Sequence, residues 1–136
     1  MKFLLLSLSF LFLSSFSGAP ENPASCKLRL LSITCIKAED FFGDEAYIVV
    51  GGSRLRTMYM SSEDEESLNS VNLIEFYDSI VIRLYDEDDG PNDPFDSDDF
   101  LGEWTVYCEE SRKGTKTAIF GSERAAAFYK LSYEVY

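Results

Sequence analysis

Ile80-Val-Ile-Arg-Leu-Tyr-Asp86 leads into Glu-Asp88-Asp-Gly-Pro-Asn-Asp-Pro-Phe95-Asp-Ser-Asp-Asp99, and the chain resumes as Phe-Leu101-Gly-Glu-Trp-Thr-Val-Tyr-Cys108. Ile80, Ile82 and Leu84 alternate with Val81, Arg83 and Tyr85. Period two over β-branched and aromatic residues predicts a strand with one buried face. Residues 101–108 predict a second strand. Between the two lies a 14-residue loop, 86–99, with Gly90 and two prolines, holding seven aspartates and one glutamate. A long acidic loop fixed between two strands is the pattern from which the rest of the chain is read.

The same signs recur on both sides. Residues 27–37 alternate through Leu31, Ile33 and Cys35 and predict a first strand, followed by a turn over Asp40-Phe-Phe-Gly-Asp44. Residues 46–50 and 53–60 predict a hairpin about Gly51-Gly52. Residues 61–67 are polar and acidic and read as a solvated loop. Residues 69–76 predict a weaker fourth strand. Beyond residues 80–85 and 101–108 and a turn at 109–114, residues 117–120 and 128–135 predict the last two. Seven or eight short strands at this spacing define an all-β antiparallel sandwich or barrel.

The start of the chain has a different character. Lys2 precedes an uncharged run of Leu, Phe and Ser over residues 3–16, with Ser15 and Ser17 suitably placed for cleavage after Ser17. Residues 1–17 therefore read as a secretory signal peptide, since a membrane span needs roughly 20 apolar residues. Residues 18–25 form a leader and residues 26–136 the domain, so the expected location is extracellular. The formal charge of −12 disfavours nucleic acid and anionic membranes unless a cation intervenes. The sequence has no histidine, which removes the commonest general base and the commonest zinc ligand. The expected class is a binding protein and not an enzyme.

Unpaired carboxylates crowded into the loop at 86–99 repel one another, and the loop itself carries no Lys or Arg to offset them. Calcium would, because it takes six to eight oxygens in flexible geometry. An EF-hand does not fit: Gly90 falls one place early, the twelfth position holds no glutamate, and the flanks are strands.

Ile82-Arg-Leu84-Tyr-Asp86-Glu-Asp88, followed by Asp98-Asp-Phe-Leu101-Gly-Glu103, resembles the third calcium loop of C2 domains, the calcium-dependent lipid-binding modules of protein kinase C and synaptotagmin. Leu31 to Val49, with Ala38, Asp40, Gly43, Glu45 and Tyr47 in order, resembles that family's first loop. The family's Asn-Pro-x-Trp-Asn-Glu signature has no counterpart. The resemblance covers roughly residues 28–136. It implies an eight-stranded antiparallel C2-like β-sandwich with calcium held by Asp40, Glu45, Asp86, Asp88 and Asp99, Asp44 being a neighbour able to replace Glu45.

In that arrangement the two loops are neighbours. Phe41 and Phe42 at the first tip, and Phe95 in the third, then form a small apolar cluster suited to membrane contact. The expected partners are calcium and either a phospholipid surface or an extracellular protein, with calcium purely structural in the second case. Lys27, Arg29 and Lys37, with Arg54 and Arg56, offer a candidate basic face, and Trp104 is expected in the core. Strand directions put Cys26 and Cys108 together at the end away from the loops. They predict a Cys26–Cys108 disulfide, leaving Cys35 as a buried free thiol near the loop end.

Overall fold

A computed structural model describes residues 24–39, 43–87, 98–122 and 126–136. The signal segment at 1–17, most of the leader, Asp40, Phe41, Phe42, Asp88 and Phe95 lie outside the described residues.

The strands in chain order are β1 (Cys26–Lys37), β2 (Asp44–Val50), β3 (Ser53–Met60), β4 (Glu65–Ser67), β5 (Ile74–Phe76), β6 (Ser79–Asp86), β7 (Asp99–Tyr107), β8 (Lys116–Ser122) and β9 (Ala127–Val135). They form two sheets in which every pairing is antiparallel. One runs β4-β1-β9-β8, with β5 also pairing β1; the other runs β3-β2-β6-β7. The described strands number nine, not eight, because the expected fourth strand shortens to Ile74–Phe76 and three residues of the expected acidic loop, Glu65–Ser67, pair with Ser32–Thr34.

The alternation of β6 does what its sequence predicts. Ile80, Ile82, Leu84 and Asp86 face inward, with Ile48 and Val50 of β2 beside them. Leu28, Leu30, Ile33 and Cys35 of β1 and Tyr129, Leu131, Tyr133 and Val135 of β9 close the core from the other sheet. Register shifts keep this face continuous. In β7, Tyr85 opposes Phe100 while Leu84 opposes Gly102, so Leu101 is the extra residue of a bulge and points into the core.

Trp104 is not a core residue. It sits half-exposed on the edge strand β7, and its indole N–H donates to the Tyr133 hydroxyl of the opposite sheet at 3.1 Å. The expected basic face does not form either. Arg54 and Arg56 belong to one sheet and Lys27, Arg29 and Lys37 to the other, while Arg54 pairs with Glu87 and Arg56 with Glu66 at 3.0 Å.

Cys26 and Cys108 are joined in a disulfide, and Cys35 is free and buried, as expected. The bridge ties the start of β1 to the end of β7. The opposite end of the sandwich carries the ends of β1 and β6 and the starts of β2, β7 and β9. No helix among the described residues is long and apolar enough to cross a membrane.

Candidate metal centre

At that end Asp86, the last residue of β6, pairs directly with Asp99, the first of β7. Residues opposite one another in an antiparallel pair share a face, so both side chains lie on the inward face that carries Leu84. Asp86 is also in register with Ala46 of β2, which puts Asp44, two residues earlier, on the same face. Like charges placed directly across a strand pair destabilise a sheet unless something compensates. The three carboxylates thus share one inward face at this end of the sheet.

Asp44 and Asp86 are the described buried carboxylates, at 3% and 4% exposure. Burying a charge is costly unless hydrogen bonds replace water. The Glu39 backbone N–H donates to both oxygens of Asp44, at 3.0 and 3.1 Å, and the Tyr129 hydroxyl donates to Oδ2 at 2.6 Å. Burial above all, and then this bond to Asp44, pushes the Tyr129 phenol far above its usual range. Cys35 lies against Tyr129, and burial raises its thiol too, so it stays protonated beneath the carboxylates.

Gly43 makes this placement possible. Its φ of +103° is one that side chains rarely adopt, and a Cβ there would lie 2.9 Å from the Met60 carbonyl oxygen. The chain can therefore turn tightly past β3 and deliver Asp44 inward.

The structure separates Glu45 from the group the sequence assigned to it. Glu45 is exposed and opposes Tyr59 on the outer face of β2, while its carbonyl accepts the Glu87 N–H at 2.9 Å. Asp44, named only as a substitute, lies on the inward face with Asp86 and Asp99. The expected ligands Asp40 and Asp88, and the apolar tips Phe41, Phe42 and Phe95, lie outside the described residues. Among the described residues no group of three or more His, Cys, Asp or Glu is arranged to hold a metal ion. What the described residues supply is a floor of hard oxygen donors, chemically suited to calcium or magnesium and not to a thiophilic ion.

Two exposed aromatics at this end carried no functional expectation. Phe100 and Tyr59, 50% and 60% exposed, project from the outer face of β7 and β3. For Phe100 the signal was the bulge, which shifts the parity of β7 and cannot be seen from alternation alone.

No family model matches the chain, and no curated protein is similar to it in sequence. Solved structures similar to it in shape include C2 domains. One, described simply as a C2 domain, is 15% identical, covers 82% of this chain and 96% of that one, and has a TM-score of 0.49. A fragment of extended synaptotagmin 2 with two C2 domains, lettered A and B, is 19% identical over 98% of this chain, which spans 48% of it, with a TM-score of 0.49. A single C2 domain, lettered A, of a plant extended synaptotagmin 1 is 9% identical, covers 85% and 96%, and has a TM-score of 0.47. At such identities residue roles do not transfer, and the chemistry has to come from this chain's own side chains.

Proposed function

We propose that this protein is a secreted calcium-binding, C2-like module that docks to a membrane surface through its calcium-filled loops, and that it is not an enzyme. The observation that carries the reading is the Asp86–Asp99 pair, two carboxylate residues directly in register on the inward face that Asp44 shares. By sequence, both adjoining loop segments, 40–42 and 88–97, combine aspartate with phenylalanine. Asp44, Asp86 and Asp99, with Asp40 and Asp88 from those segments, would hold calcium, which supplies positive charge and open coordination sites for phosphate oxygens. Phe41, Phe42 and Phe95 would add shallow apolar contact, each buried ring contributing about 1.5–3 kcal/mol. The absence of histidine from the sequence fits a role in binding.

A second reading rests on Asp44. A carboxylate already held by Glu39 and Tyr129 suits a calcium ion that locks the fold while the target is an extracellular protein. Two measurements on the secreted chain decide: calcium titration by calorimetry, and co-sedimentation with phosphatidylserine and phosphatidylcholine vesicles in calcium or chelator. Calcium binding with calcium-dependent sedimentation supports docking. Calcium binding without sedimentation moves the protein to the second reading. No calcium binding overturns both.

A further inference from the structure

The two stems of the acidic loop, Glu87 after β6 and Asp98 before β7, are both held from the outer face of the sheet. Arg54 of β3 forms an ion pair with the Glu87 carboxylate, which also accepts the Thr57 hydroxyl at 3.0 Å. The Tyr47 hydroxyl of β2 donates to Asp98 Oδ2. These two anchors are joined to each other, because the Arg54 guanidinium lies 3.7 Å from the centre of the Tyr47 ring. Tyr47 in turn stacks on Tyr85 at 5.1 Å and 10°, and Tyr85 meets Phe100 at 5.4 Å. One row of side chains thus crosses the sheet from β3 to β7 and grips the loop at the point where it leaves and the point where it returns.

Sequence neighbours give this grip its consequence. Asp86 directly precedes Glu87, and Asp99 directly follows Asp98. Successive residues of a strand point to opposite faces, so fixing Glu87 and Asp98 on the outside fixes Asp86 and Asp99 on the inside. The shift between Tyr47/Thr57 and Val49/Arg54 adds a residue to β3 and turns Arg54 over Tyr47. Burial first, and then the bond to Asp98, keep the Tyr47 phenol protonated well above its usual range, so it remains a donor throughout the physiological range.

We infer that Tyr47 and Arg54 are positioning residues for the cation site: a clasp on the outer face that presets the spacing of the Asp86 and Asp99 carboxylates without touching the ion. The inference rests on the calcium reading above. Groups that orient metal ligands without touching the ion change affinity by about 10- to 100-fold when removed. The test is calorimetric calcium titration of the wild type, Tyr47→Phe, Asp98→Asn and the double variant, with melting temperatures in chelator. Tyr47→Phe keeps the ring stack and removes only the donor. The expected result is calcium affinity about tenfold weaker in each single variant, no further loss in the double variant, and metal-free melting temperatures within a few degrees of wild type. Arg54→Lys, which keeps the charge and loses the planar stack, should give an intermediate affinity. Unchanged affinity in Tyr47→Phe and Asp98→Asn overturns the clasp while leaving the calcium reading intact. Additive losses in the double variant overturn it too. A wild type that binds no calcium overturns the reading and the clasp together.

Discussion

Tyr129 of β9 donates its hydroxyl to the carboxylate of Asp44 at 2.6 Å, across 85 positions of sequence and from one sheet to the other. Both residues are buried, so the bond is exchanged for nothing when it is lost. It ties the first loop to the last strand, and it predicts the most sensitive single-atom change at this end of the molecule.

Tyr129→Phe should cost about 1.5–3 kcal/mol, the range for a buried hydrogen bond to a charged group. Urea unfolding should show a lower midpoint with an unchanged slope. A midpoint equal to wild type would mean that Asp44 is satisfied without Tyr129.

Alkaline pH should destabilise the fold through the same hydroxyl and two others. Burial, followed by a carboxylate partner, raises Tyr129 and Tyr47, with Asp44 and Asp98 as the partners. Burial raises Tyr133 to about 12, with Glu110 adding to the rise and the Trp104 N–H opposing it. An unfolded phenol ionises near ~10. The folded state therefore holds protons that the unfolded state has released. The stabilisation is complete below about pH 10 and is lost as pH rises towards the folded values. Melting temperature should be level to about pH 9.5 and fall steeply between about 10 and 12, with phenolate absorbance rising in step. A level profile through pH 12 would contradict the burial of these hydroxyls.

Asp44→Asn and Glu45→Gln separate the two faces of β2. Asp44 shares the inward face with Asp86 and Asp99, whereas Glu45 faces out beside Tyr59. Stabilisation by millimolar calcium, read as a melting shift relative to chelator, should shrink sharply in Asp44→Asn and stay near wild type in Glu45→Gln. The reverse pattern would give Glu45 the role that its place in the sequence indicates.

Reduction of Cys26–Cys108 should lower stability by about 2–4 kcal/mol, because the bridge closes a loop of 82 positions in the unfolded chain. Peptide mapping should find Cys35 alone and alkylated only after denaturation. Alkylation of Cys35 in the native protein would place it outside the core.

Several of these features were legible in the sequence and others were not, for physical reasons. Ile80, Ile82 and Leu84 announce their strand because an inward face must be apolar at every second residue, and the cysteine pairing followed from strand direction alone. β4 was hidden, since Glu65–Ser67 has no apolar face of its own; it is a strand because β1 offers backbone groups on that side, the Leu31 carbonyl accepting from Leu68 and the Cys35 N–H donating to Asp64 at its two flanks. That Asp44 and not Glu45 faces inward was hidden for a subtler reason. A one-residue difference in where β2 begins reverses which side chain faces the core. That register is set by Gly43 passing the Met60 carbonyl, a contact between distant segments. The outer clasp was invisible too, because it depends on the bulge that turns Arg54 over Tyr47.

The placement of β9 between β1 and β8 bears on how the molecule is made. The last of the described strands to be made is an interior strand of its sheet, and Tyr136 exchanges backbone hydrogen bonds with Lys27 at 2.9 and 3.0 Å. During synthesis β1 emerges early but cannot find its principal neighbour until the other described strands have been made. That sheet therefore closes through contacts of very long sequence separation, and such topologies fold slowly. Until β9 docks, the edges of β1 and β8 that it joins stay unpaired and open to other chains, so the interval before docking is when this protein is most exposed to aggregation.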